Sequence, residues 1–309
     1  NMKFAVLAIA SSACLQINTV TAFVCPDFSQ RNIIHRSQRQ RQALRSSQND
    51  DFPSDTPSPE TSSYDSRSDL DQIKSKLVAE CNQSSPSTFT ISTLVNELEY
   101  YSEQVGIGQG SANSGLLSGE WELLHSPEDI TRASPFFWAF RKALPDQSKQ
   151  IYDITDAIPA PLKEVGPAFQ TIDLDASNVS SSYGSANDMG SLVSRVKVAT
   201  LAGQATSIMT TRCTIVGTEG VDTIRLRVDT TKPEESTILQ KLGPLGKFID
   251  ENVAQPFPSG EALEQVQVGS SEVTMKTTFC DESLRTTFYN EGTDAFVWKR
   301  KSFSAGFEI

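Results

Sequence analysis

Two short stretches hold the residues whose types and spacing could do chemistry. In "HSPED", His125 stands four residues before Asp129, and in "CDESLR", Asp281 and Glu282 precede Arg285. A histidine beside a carboxylate can move a proton. However, no nucleophile and no metal cluster joins His125, and His35 sits far back in an N-terminal segment. The ordinary reading of His125 is a solvated turn residue. Arg285 has two readings: it closes the turn through a salt bridge, or it anchors a ligand head group while Asp281 orients it. The chain has no GxSxG, Walker loop or HExxH, and the glycines of "GIGQG" follow a helical pattern rather than a strand, so a dinucleotide fingerprint fails on context. No catalytic residue, metal or cofactor is expected. An enzyme acting on a lipophilic substrate is the lesser alternative.

The elements that must position these residues follow from periodicity. Leu70, Ile73, Leu77 and Val78 share one helical face, as do Ile91, Leu94, Val95 and Leu98, with Thr90 able to cap the second helix. A helical unit is therefore expected over residues 70–110. From residue 116 the period becomes two. "VDTIRLRVDT" alternates Ile224, Leu226 and Val228 with polar residues, and "DAFVWKR" places Phe296 and Trp298 opposite Val297 and Lys299. "PAFQTIDL", "SRVKVATL", "TSIMTTRCTIV" and "EVTMKTTF" read as further strands. So many consecutive strands favour closure, which removes exposed edges. An open sheet covered by the helices is the rival. Within this domain, residues 236–260 form an apolar insertion whose prolines forbid one long helix. A lid, a membrane-touching surface and an end to the core all suit it.

The N-terminal region differs in kind. Lys3, an apolar run and the small residues before Ala22 make residues 1–22 a signal peptide, too interrupted for a membrane span. Residues 23–45 carry five arginines from Arg31 to Arg45 with no acid among them, the character of a transit segment. Residues 46–69 are rich in Ser, Asp and Pro and read as a disordered linker. Residues 1–69 balance their charges, so the net −11 of the chain lies in the body beyond them. That acidity argues against a broad nucleic-acid surface. Past the linker come Cys81, Cys213 and Cys280, whose spacing fits no zinc or redox motif. Free thiols and a Cys213–Cys280 bridge both remain open.

The largest apolar investment is aromatic. "LLSGEWELLHSPED" leads to "SPFFWAFRKALPD", where Phe136, Phe137, Trp138 and Phe140 exceed what a short connector needs. Some of them are expected to face a cavity or its entrance, since ligand cavities are mostly apolar with a few placed polar groups.

At these residues the chain resembles the plastid lipid-associated protein family, the plastid fibrillins. "LLSGEWELLHSPED" is similar to the family's opening motif, "VGPAFQTIDLDASNVSSSY" to its second, and "CDESLRTTFYNEGTDAFVWKR" to its closing motif. "LVNELEYYSEQ" is similar to the helix that ends in a Leu-Glu pair, and the resemblance spans roughly residues 70–301. It departs after Arg285, where "TTF" stands in place of Ile-Ser-Arg. The resemblance implies an antiparallel lipocalin-like β-barrel over residues 116–309, mostly β with the helical unit before it. It implies binding or carrying of prenyl lipids, carotenoids or acyl lipids at thylakoids or plastoglobules. The presequence is similar to those of algae with complex plastids, including an Ala22-Phe23 junction. With the aromatic reading, it makes Trp121, Phe136, Phe137, Trp138, Gln170, Arg285, Phe296 and Trp298 the expected ligand-binding residues. The expected partners are an apolar lipid and the surface of a thylakoid or plastoglobule, not nucleic acid. A structural coat protein with a filled barrel is the alternative.

Overall fold

In the computed structural model of the chain, the described residues are 62–157, 163–174, 189–200, 205–237, 255–289 and 294–301. The signal and transit segments and most of the apolar insertion lie outside them.

The helical unit is a pair, α1 (Ser62–Cys81) and α2 (Thr88–Val105). Leu70, Ile73 and Leu77 of α1 pack with Ile91, Val95 and Leu98 of α2 in one buried cluster, as the three- and four-residue spacing requires. α1 starts inside the stretch expected to be a linker. The cap of α2 is Ser87, whose hydroxyl accepts from the Thr90 backbone N–H, so Thr90 is the residue capped. Gly106, at φ 68°, ends α2 in the left-handed region and returns its N–H to the Ser102 carbonyl.

The described residues then form eight strands: β1 (Gly119–His125), β2 (Lys163–Leu174), β3 (Gly190–Thr200), β4 (Ala205–Glu219), β5 (Thr223–Glu234), β6 (Glu272–Cys280), β7 (Leu284–Tyr289) and β8 (Phe296–Arg300). Each pairs antiparallel with the next, and β8 returns to β1 through Trp121↔Arg300 and Leu123↔Trp298, so the ring of strands closes. Alternation sorts the side chains. Gln170, Ile172, Leu192, Cys213, Ile215, Leu226, Met275, Trp121 and Trp298 are buried, and their apolar members share one core cluster. Phe279, Leu284 and Val297 instead join the cluster of α1 and α2, so this pair covers the outside of β6, β7 and β8. A register shift between Thr277 and Phe279 separates those two outlooks on β6.

The remaining helices are α3 (Ser111–Ser114), α4 (Pro135–Ala143), α5 (Pro145–Asp156) and α6 (Ser259–Val266), with a 3-10 turn at Ile130–Ala133. The expected connector "SPFFWAFRKALPD" is thus helical. Pro135 occupies its first turn, where the missing N–H costs nothing. Being apolar nearly all round, α4 is a buried helix: Phe136, Phe137, Trp138, Ala139 and Phe140 are in the same cluster as the inward strand residues. α6 lies on β5 at Gly260, where a Cβ would come 1.9 Å from the Val228 carbonyl oxygen.

This arrangement corrects the lipocalin-like barrel. A ring of about eight strands is wide enough either to be filled by side chains or to hold one small ligand. Here a whole helix, α4, and its four aromatic rings occupy the core that a lipocalin-like cup would offer to a ligand. The Cys213–Cys280 bridge is also excluded, because both are buried free thiols.

Phe279 joins the ring to the helical pair, and its side chain closely abuts Gly108. Phe279→Ala is expected to lower unfolding free energy by about 3–5 kcal/mol. Urea denaturation followed by far-ultraviolet circular dichroism measures it, and a loss below about 1 kcal/mol would show that the two clusters are not coupled.

Candidate binding site

β7 carries Arg285 inward because Arg285 and Thr287 alternate with Leu284 and Thr286. The guanidinium is fully buried at 0% exposure. Trp121 from β1 and Trp298 from β8 stand beside it, with its carbon 4.9 Å and 4.8 Å from their ring centroids. Such stacking holds a cation against the negative ring faces. Nη2 donates to Gln170 Oε1 at 2.8 Å, while Nε and Nη1 have no hydrogen-bond partner. Burial lowers the Arg285 pKa to about 9, and the neighbouring Arg300 adds to the effect.

Gln170 ties this arginine to the helix. It is itself buried, and its Nε2 donates to the Ala133 carbonyl, 3.3 Å away, at the entry to α4. Ser134, the next residue, donates to Thr211 Oγ1 on β4 at 3.0 Å. The indoles are fixed as well: Trp121 donates to Leu117 O, Trp138 to Arg132 O and Trp298 to Thr287 Oγ1. Arg300 lies 4.2 Å from the Trp121 ring centroid and donates to the Ser118 and Leu116 carbonyls. Two guanidinium groups therefore contact one indole.

A second polar group holds the other end of α4. Glu128 accepts both from Arg141 Nη2, at 2.9 and 2.8 Å, and from the Tyr289 hydroxyl at 2.7 Å. Tyr289 stacks on Trp138 with centroids 4.8 Å apart, and the Arg132 guanidinium lies 4.3 Å from the Tyr152 ring centroid. Burial, reinforced by Glu128, raises the Tyr289 pKa, so the phenol stays a donor at neutral pH. Arg141 and Tyr289 thereby join α4 to β7 through one carboxylate.

Of the residues expected to bind ligand, Trp121, Gln170, Arg285 and Trp298 meet in one group. Phe296 contacts Tyr289 and Trp138 in a neighbouring aromatic group, while on α4 Phe136 packs with Phe137 and Phe140, and Phe137 with Tyr152 of α5. Asp281 neither pairs with Arg285 nor orients it. Asp281 accepts from the Ser283 and Leu284 N–H groups and pairs with Lys74 of α1. Burial opposes its ionisation, but these donors outweigh that and lower its pKa. His125 is buried at the end of β1, and desolvation lowers its pKa, so it is a neutral core residue rather than a solvated one. Arg300, Glu128, Arg141 and Tyr289 complete these groups without being singled out by the sequence. The signal for Arg300 is its place on the strand that pairs with Trp121. Nothing in local spacing marks the others. Among the described residues no group of His, Cys, Asp and Glu could hold a metal ion.

No family model, curated protein or solved structure matches the chain. The four motif likenesses are therefore not sustained as membership of the plastid lipid-associated family. The glycine–tryptophan opening and the Leu-Arg of β7 are accounted for locally, by ring closure at Trp121 and by the inward alternation at Arg285.

Glu128→Gln is expected to lower stability by about 1–2 kcal/mol, since it weakens charge-assisted hydrogen bonds at a half-buried carboxylate. Urea denaturation measures it.

Proposed function

We propose that the chain binds a lipid, with its polar end at Arg285 and its apolar body against the inner strand walls beside α4. One observation carries this reading: a fully buried guanidinium leaves two of its nitrogens, Nε and Nη1, without a hydrogen-bond partner. Buried polar groups nearly always have partners, and a buried cation left without them is costly. Stacking on Trp121 and Trp298 holds the cation but leaves Nε and Nη1 without acceptors, which a core serving stability alone would supply. A ligand that brings both acceptors and apolar surface supplies what the core lacks. Entry of its body moves α4, whose polar attachments at Glu128 and Gln170 are separable from its apolar packing. Burying the ligand's apolar surface contributes roughly 25 cal/mol per Å² before ordering costs. Prenyl lipids, carotenoids and acyl lipids all fit that description. The signal and transit character of residues 1–45 supports delivery to a plastid, where the chain would meet them at a thylakoid or plastoglobule surface.

The second reading is a structural coat protein with a filled core, favoured by the complete burial of Phe136, Trp138 and Phe140. Native mass spectrometry of the purified chain, after incubation with total plastid lipid extract, separates the two. Lipid binding predicts one retained lipid per chain. A folded sample that retains none would leave the coat reading.

A further inference from the structure

Resting on that lipid-binding reading, we infer that the ligand is an acidic lipid, a long-chain carboxylic acid whose carboxylate is received by Arg285. The argument is one of charge balance and donor count. Among the described residues no carboxylate bonds to Arg285, whose one hydrogen-bond partner is the neutral amide of Gln170. The second guanidinium at Trp121, that of Arg300, donates to backbone carbonyls, and its Nε is also unpartnered. Among the described residues this end of the core therefore holds two cations and no bonded anion, in a chain whose net charge is −11. A neutral quinone or hydroxyl head accepts hydrogen bonds but leaves the buried charge uncompensated. A carboxylate does both, with lone pairs for free N–H bonds along one edge of the guanidinium and a charge opposite to it.

Charge sets the class of the anion. Arg285 keeps three N–H bonds without a partner, one on Nε and two on Nη1. One negative charge balances this guanidinium, whereas a phosphate monoester brings up to two into the core. Cys280 faces Arg285 in the β6–β7 register but remains a neutral thiol, its pKa raised by burial to about 11. It competes for no part of the charge.

The test uses the full chain with two probes of equal length, oleate and oleyl alcohol. Binding is measured by displacement of a fluorescent fatty acid, and the carboxyl carbon of 1-13C oleate is followed by NMR through a pH titration. Oleate is expected to bind at least about tenfold more tightly than the alcohol, the factor a charge-assisted hydrogen bond contributes. The bound carboxyl should titrate at least one unit below the same acid in phosphatidylcholine vesicles. Arg285→Met should bring oleate down to the alcohol's affinity, and Arg285→Lys should restore part of the difference. If the alcohol binds as tightly as oleate, or the bound carboxyl titrates as in vesicles, the acidic-lipid proposal is overturned while lipid binding stands. If neither probe binds a folded chain, the lipid reading itself fails. The wild-type carbon titration decides the matter even if Arg285→Met does not fold.

Discussion

The fold depends on the stacking of Arg285 with Trp121 and Trp298. Those two indoles come from β1 and β8, the first and last strands, and the arginine comes from β7. Ring closure through Trp121↔Arg300 brings the two indoles together, and their faces in turn hold a cation that the core could not otherwise accommodate. Gln170 extends the same contact to β2 and, through the Ala133 carbonyl, to the start of α4. One buried charge thereby joins both ends of the strand ring to the helix inside it.

The rest of the architecture divides the remaining work. The helical pair α1–α2 shields the outer face of β6, β7 and β8, and Asp281 fastens the β6–β7 turn to it through Lys74. Inside, α4 supplies the aromatic mass, and the Glu128–Arg141–Tyr289 group secures its far end. Apolar packing and polar attachment are thus separated along α4. Packing is spread over the whole helix, and directed bonds reach its entry at Ala133 and its last turn at Arg141.

Much of this was legible in the sequence where a residue's role follows from its near neighbours. Ile224, Leu226 and Val228 alternate and face inward, and Phe296 and Trp298 take the side opposite Val297. The helical faces around Leu77 and Leu98 follow from spacing alone. Roles set by distant contacts were not legible. Phe136 to Phe140 read as a connector because aromatics have no strong helical bias, and only the surrounding strands make so short and largely apolar a helix stable. His125 looked solvated because Ser and Pro follow it, yet the strand end that carries it is covered. Asp281 and Arg285 stand four apart in sequence, but strand alternation sends the arginine inward while the turn keeps the aspartate outside. The motif likeness misled for a related reason: Gly-x-Trp and Leu-Arg are what a tryptophan at a strand start and an arginine on an inward strand position look like, whatever the lineage.

The most direct test of the central claim is a high-resolution crystal structure of the chain purified from a plastid lipid extract, with the electron density around Arg285 as the observable. The account predicts continuous density within hydrogen-bond distance of Nε or Nη1 that extends as an elongated apolar body along α4. Isolated, water-sized density at both nitrogens, with α4 packed against the strands as here, would contradict it.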